Sequence, residues 1–294
     1  MGGSRTLKSA PNRYRHHGFT LVELIMVIVI MGAIGGMVSV FMKSPIDAYF
    51  DSARRAALTD VADTTVRRMA RDIQRALPNS INTSTDNLCL EFIPTKTGGR
   101  YRAVEVTAGD GTSLTFGSSD TSFNMLGNNA SLPVDQQIKA VAGEYDVIAV
   151  SNMGFDVGDA YAGSNTAVLS SVVNGAETVL TFGAVTFDIA LASPSSRFQV
   201  IPANEKVVAY VCSNSNLYRV ASATLAHICP ATVTSGSPSI AGAAILARNA
   251  TCTMNYSGSD LQRNALVSMV LSVTDSSSGE AVRLQHEVHV SNTP

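Results

Sequence analysis

The fold is decided by Gly18-Phe19-Thr20-Leu21-Val22-Glu23-Leu24 and by the apolar run that these residues open, Phe19 to Met42, FTLVELIMVIVIMGAIGGMVSVFM. The run holds one charged residue, Glu23. As a helix it measures about 36 Å, enough for a bilayer core of about 30 Å. Ahead of it stand Arg5, Lys8, Arg13 and Arg15, with no acid among them. That basic flank predicts a cytoplasmic N-terminus, with everything from Lys43 onward outside the inner membrane. A secretory signal would have a shorter apolar core and a small-residue cleavage site closing it, and this run has neither. A plain signal anchor fits the hydropathy equally well. Glu23 separates the two readings.

A carboxylate in a membrane helix costs about 2.5–3.5 kcal/mol at mid-bilayer depth and less near the interface, so it is usually paired or functional. Glu23 stands one helical turn after Phe19. A cut between Gly18 and Phe19 would give Phe19 a new α-ammonium. In a packed bundle of such helices, the glutamate of one subunit can then meet the amine of a neighbour. The attraction is stronger in an apolar setting than in water. A slipped axial register would leave a buried charge unpaired, so the pair also sets the register.

The stretch Gly18 to Leu24, behind its basic leader, resembles the class III signal of type IV prepilins and type II secretion pseudopilins. The resemblance implies a dedicated prepilin peptidase/N-methyltransferase that cuts after Gly18 and methylates Phe19. It implies Phe19 and Glu23 as subunit-docking residues. The segment SPIDAYFDSARRAALTDVADTTVRRMARDIQRALPNS at 44–80, the fragment Cys89-Leu90-Glu91-Phe92-Ile93-Pro94 and the ending His286 to Asn292 resemble the O-type minor pilin-like group of the mannose-sensitive haemagglutinin (MSHA) pilus system. J-type minor pseudopilins are the wider kin. The likeness is strong over the first 100 residues and patchy after them. It implies an α+β ectodomain, a place at the tip or in initiation of a filament, and as partners other major and minor pilins and an inner-membrane assembly platform.

Beyond the apolar run the helical period continues. Phe50, Ala53, Ala57 and Val61 begin an apolar stripe, and Leu58, Ala62, Val66, Met69, Ile73 and Leu77 continue it at a shifted phase. Asp51–Arg55, Asp63–Arg67 and Arg68–Asp72 stand at i,i+4. The basic run Arg67, Arg68, Arg71 and Arg75 reads as a solvated face, with a contact to acidic neighbours in a filament as the functional alternative. Pro45 predicts a kink, and Pro78-Asn79 stops the helix. The expected organisation is therefore a removed cytoplasmic leader (1–18), a long helix (19–77, membrane-spanning over 19–42) and a β-rich extracytoplasmic domain (78–294). The fold class is α+β, the long helix packed on a mostly antiparallel pilin-like sheet.

Within 78–294, short β-rich runs alternate with Gly, Ser, Asn and Pro clusters. They predict strands at 88–93, 101–107, 113–116, 145–150, 178–182, 186–191, 206–212, 217–221, 251–256, 266–273 and 281–290. Residues 117–143 and 231–243 read as long loops. The chain has 4 cysteines, all after the apolar run: Cys89, Cys212, Cys229 and Cys252. An even count in an exported domain suggests disulfides, and three connectivities are open. Four reduced buried thiols are the alternative. Short spacing favours Cys212–Cys229, which leaves Cys89–Cys252 by elimination.

The composition narrows function further. Of 294 residues 45% are hydrophobic and 15% charged, and the net charge is -2. Without residues 1–18 the balance is about −6, which argues against nucleic acid as a partner. No nucleotide-loop, nucleophile-elbow or zinc-protease motif occurs, so no catalytic residue, metal or cofactor is expected. His286 and His289 lie three apart on a predicted strand and face opposite ways. Asp156, Asp159 and Asn165 carry oxygen ligands without a calcium-loop pattern. The leading expectation is a minor pilin or pseudopilin of a surface pilus. A tip adhesin for surface glycans, with a groove near Tyr101, Tyr145, Tyr161 or Tyr218, and a type II secretion pseudopilin are its rivals. An anchored extracytoplasmic enzyme has no positive support.

Overall fold

The computed structural model describes residues 18–193, 195–257 and 264–293. Arg5, Lys8, Arg13 and Arg15 lie outside the described residues. The chain divides into two compact units, Met1–Arg54 and Arg55–Pro294. One helix, α1 (Leu21–Ile73, 53 residues), belongs to both and remains helical on either side of Pro45. It stops at Ile73 and not at Leu77, where the apolar period runs out. Competition from a neighbouring strand decides this. The Leu77 N–H donates to the Ile93 carbonyl at 2.7 Å, the Thr95 N–H donates to the Arg75 carbonyl at 2.8 Å, and Ala76 bridges Pro94. The N–H groups of Arg75 and Ala76 reach back only three residues, to Asp72 and Ile73, which tightens the last turn.

In the second unit the helix buries Ala62, Thr65, Val66, Met69, Ala70 and Ile73, spaced to form one face. After it come β1 (Asn82–Thr83) and β2 (Cys89–Phe92), an antiparallel pair. The chain then leaves this sheet to build β3 (Thr97–Arg100), β4 (Asp120–Met125), β5 (Ala140–Val141), β6 (Glu144–Tyr145), β7 (Val147–Val150), β8 (Thr166–Val173), β9 (Thr178–Val185) and β10 (Arg197–Ile201). It returns as β11 (Val207–Ser213), which pairs with β2, and continues with β12 (Asn216–Ser222) and β13 (Ala244–Arg248). The sheet order is β1-β2-β11-β12-β13. A second antiparallel sheet, β14 (Ala250–Ser257), β15 (Asn264–Thr274) and β16 (Ala281–Ser291), ends the fold. The buried helix face shares one core with Leu90, Phe92, Val208 and Tyr210 of the first sheet and Met254, Val267, Met269 and Val288 of the second. The α+β class and the helix on an antiparallel β domain are as expected.

The strands between β2 and β11 form a module of their own. Six of them run in the order β3-β10-β7-β8-β9-β4, all pairs antiparallel, and β5 pairs with β6 as a separate two-stranded ribbon. The ring closes where Tyr101 bridges Met125, with the Arg102 N–H on the Asn124 carbonyl at 2.9 Å and the Leu126 N–H on the Arg100 carbonyl at 2.8 Å. Closure removes free sheet edges from the module. Its interior is a separate core in which Phe123 meets Phe198 at 5.2 Å and Phe182 at 6.0 Å. Asp146, almost wholly buried, ties its neck. Oδ2 meets Lys96 Nζ at 2.5 Å and accepts the Lys139 N–H at 2.7 Å, while Oδ1 accepts the Ala203 N–H at 3.1 Å.

Residues 101–107, 113–116 and 186–191 are not strands, and β1, β3, β4, β5, β8, β10 and β13 lie outside the expected runs. The 117–143 segment is not one loop, because β4 crosses it. Its sequence, DTSFNM, points only Phe123 and Met125 inward and keeps a polar outer face, so its period is hard to read. The disulfides also differ from the expected pairs. They join Cys89 to Cys229 and Cys212 to Cys252, with Cα separations of 5.6 Å and 6.1 Å. The sheet register explains why Cys212 cannot meet Cys229. Cys89 stands opposite Val211, so Cys89 and Cys212 point to opposite faces of the sheet. Cys89 faces the loop after β12, where Cys229 lies, and Cys212 faces the shared core, where β14 supplies Cys252.

Peptide mapping without reduction should recover the 89–229 and 212–252 pairs, and a crosslinked 212–229 peptide would refute this arrangement. With a sequence separation of 140 against 40, the first bridge is the more stabilising, about 5 kcal/mol against about 4 in the chain-entropy model. Thermal unfolding of Cys89→Ser/Cys229→Ser should therefore show the larger loss of Tm.

Candidate functional site

The expected processing and docking residues open α1. Phe19 is 86% exposed, and around Gly18 a Cβ would meet nothing within 4 Å. Thr20 occupies the N-cap position and Glu23 the third helical position. The Glu23 N–H donates to Thr20 Oγ1 at 3.2 Å, and the Thr20 N–H donates back to Glu23 Oε2 at 3.1 Å. Thr20 Oγ1 also donates to Oε2 at 3.1 Å. This is a capping box, with two otherwise orphaned helix-end donors satisfied reciprocally. The T-x-x-E spacing was present in the sequence. Reading Glu23 as a membrane charge alone missed it. Glu23 therefore has a local partner in the single subunit, through one oxygen, and its negative charge also suits a helix N-terminus.

From Leu21 the helix is apolar and unburied. Over its most apolar stretch no residue is buried among the described residues, and the helix is long and apolar enough to cross a membrane.

The charges on the ectodomain part of α1 are arranged differently from the i,i+4 expectation. Asp63 does pair with Arg67, at 2.7 Å. Asp51 pairs with Arg54, and Arg55 with Glu280 across to the β15–β16 turn. Asp72 turns away from Arg68 toward the sheet. Its Oδ2 accepts Tyr210 Oη–H at 2.7 Å and Arg219 Nε–H at 3.1 Å. Arg219 makes two further bonds of 2.8 Å to Glu205. These less exposed partners outcompete the solvated Arg68. Burial and the Asp72 carboxylate push the Tyr210 hydroxyl far above its usual range, and Glu205 with Asp72 does the same for Arg219. The Arg219 guanidinium holds the Glu205 carboxyl below its usual range despite burial.

A buried carboxylate fastens the 223–243 loop. Glu91 on β2 is 1% exposed and accepts the N–H groups of Ile228 at 2.6 Å and Cys229 at 2.7 Å, with His227 Nδ1 at 2.5 Å. The His227 ring stacks on Tyr161 at 4.0 Å. Nothing in CLEF marked Glu91 for this role, because its partners lie more than 130 residues on.

The remaining candidates are not gathered. Tyr101 is inside the barrel, Tyr218 is under the 223–243 loop, Tyr161 lies against His227 and Tyr145 is on the surface. Asp159 accepts the Tyr161 N–H, and Asn165 donates to the Val150 carbonyl. His286 and His289 occupy β16 at positions of opposite facing, and among the described residues no three acidic, His or Cys groups converge as metal ligands.

Residues 13–39 match the prokaryotic N-terminal methylation motif. No curated protein and no solved structure matches the chain. The motif is the processing signal of type IV pilin-like proteins, a structural rather than catalytic family. With the long apolar helix, it supports membrane anchoring, processing by a prepilin peptidase and assembly with other pilins.

Two outcomes follow. Glu23→Gln keeps a capping acceptor and removes the charge. It should be processed normally but enter filaments as poorly as Glu23→Ala, whereas Thr20→Ala, which loses about 1 kcal/mol of cap, should enter them. Wild-type incorporation of Glu23→Gln would refute the charge role. Separately, Glu205 has its folded pKa lowered, so its stabilisation is present above the unfolded value of about 4.3 and is lost as pH falls through the folded one. Melting from pH 7 to 3 should show a steeper loss in the wild type than in Glu205→Gln.

Proposed function

We propose that this chain is a minor type IV pilin of an MSHA-type surface pilus, cut between Gly18 and Phe19, methylated at Phe19, and inserted by its N-terminal helix to initiate, cap or adjust the filament. One observation carries this reading. The methylation motif at 13–39 leads into a helix whose most apolar stretch has no buried residue among the described residues. Before assembly the protein sits in the inner membrane by a single span with its ectodomain in the periplasm. Afterwards it is part of the cell-surface pilus. Its partners are the prepilin peptidase/N-methyltransferase, the inner-membrane assembly platform, and the major and minor pilins of the filament. Glu23 docks the incoming helix against the Phe19 amine of a neighbour. The extra barrel between β2 and β11 favours a low-abundance place near the tip, because a shaft subunit repeats and must leave room for its copies. The same features suit a type II secretion pseudopilin. The glycan-adhesin reading is weaker, because the four tyrosines that would line its groove stand apart.

The test is mass spectrometry of the N-terminal peptide from membrane and sheared-filament fractions. A peptide starting at Phe19 with one added methyl is expected in both, and a bulky residue at Gly18 should slow its appearance. A chain that starts at Met1 in filaments, or is cut elsewhere, would remove the pilin mechanism.

A further inference from the structure

Helix α1 has a second face within the ectodomain unit. Ala57, Val61, Thr64, Arg68 and Arg71, with Arg75 in the turn just after the helix, recur every three or four residues and so share one side. All six are exposed, whereas Ala62, Val66, Met69 and Ile73, with the same period on the opposite side, are buried in the core. Along its length the exposed side changes from apolar to cationic. Among the described residues none of the three guanidiniums makes an ion pair or a side-chain hydrogen bond, although the Arg68 charge helps hold the Glu205 carboxyl below its usual range. The acids that might have taken them are engaged elsewhere. Asp63 is held by Arg67, Asp72 by Tyr210 and Arg219, and Glu205 by Arg219. Arg75 and Asp135 line one cleft with no bond between them.

We propose that Arg68, Arg71 and Arg75 form the docking surface for an acidic helix of a neighbouring, different pilin-like subunit. This rests on the pilin reading above. The stripe is straight and about 27 Å long from Ala57 to Arg75, which suits a helix laid alongside. Two subunits anchored by N-terminal membrane segments hold their helices parallel. A second copy at the same axial level would set three arginines against three arginines, and like charges at that distance repel. The occupant therefore carries apolar residues opposite Ala57 and Val61 and carboxylates opposite the three arginines. Cation–carboxylate attraction at its far end would fix which subunit docks and at what height, while the apolar part supplies contact without selectivity.

The experiment uses the full chain in the producing cell. Arg68→Glu/Arg71→Glu/Arg75→Glu should be cut at Phe19 and stored in the membrane at wild-type level, yet appear in sheared filaments at least tenfold less. The corresponding triple Lys variant should stay within twofold of wild type. A photo-crosslinker at Arg71 should capture an acidic helix segment of a different pilin-like subunit. Incorporation of the triple Glu variant within twofold of wild type, or a crosslink to a second copy or to lipid, overturns the proposal while leaving the pilin reading intact. Failure of the wild type itself to be cut at Phe19 overturns both. If the triple Glu variant loses protease resistance, Arg71→Glu alone decides: a threefold loss of incorporation supports the surface, and no loss overturns it.

Discussion

An apolar helix surface with nothing covering it is the constraint on which the rest of this molecule depends. From Phe19 to Met42 nearly every side chain is aliphatic, aromatic or glycine, and none of the most apolar window is buried within the chain. Leu, Ile, Val and Phe each favour a membrane interior by about 0.3–0.6 kcal/mol at the helix centre, so the run outweighs the one carboxylate it contains. The surface must lie in lipid or against other helices. A protein that moves between those two environments needs a feature that distinguishes them. Glu23 can supply it. Capped to Thr20, it is tolerable near the membrane interface; in the proposed assembly, a neighbour's amine in a dry bundle would stabilise it far more.

The ectodomain solves a related problem on the same helix. One face of residues 62–73 is taken up by two sheets. The Asp72–Tyr210–Arg219–Glu205 network then locks the last turn to β11 and β12. By drawing Asp72 inward, this network leaves Arg68 without its helical partner. A purely local reading would cancel that charge pair on the surface. The tertiary structure instead uses the acid inside and leaves the base outside, so the cationic side of α1 is a consequence of how its end is held.

The helix, its apolar period and the α+β class were legible because each is written locally, in spacing. The capping box is equally local, written in the T-x-x-E spacing of Thr20 and Glu23. The disulfide pairing was not legible from spacing. It depends on which face of the β2–β11 register each cysteine takes, and a one-residue offset reverses that. Glu91 was hidden for the same kind of reason: it looks like a strand position, and only the return of the 223–243 loop gives its carboxylate three donors. The strand β4 is hard to read because Asp, Ser, Thr and Asn fill its outer positions, and β8 because exposed Val168 and Val173 blur the apolar alternation.

The barrel's point of insertion explains how so much chain can be added without disturbing the sheet. β2 and β11 are adjacent and antiparallel, so the module leaves and rejoins the sheet at one place. Lys96 and the backbone at Ala203 meet there on Asp146. The host sheet sees only a connection between neighbouring strands, and connection length is a weak entropic penalty. Closing the six strands into a ring has a consequence for association. An open sheet of that size would offer edges for pairing with other chains. The closed ring offers none, so the free sides among the described strands are those of the terminal strands β1 and β13, β14 and β16, and of the short β5–β6 pair.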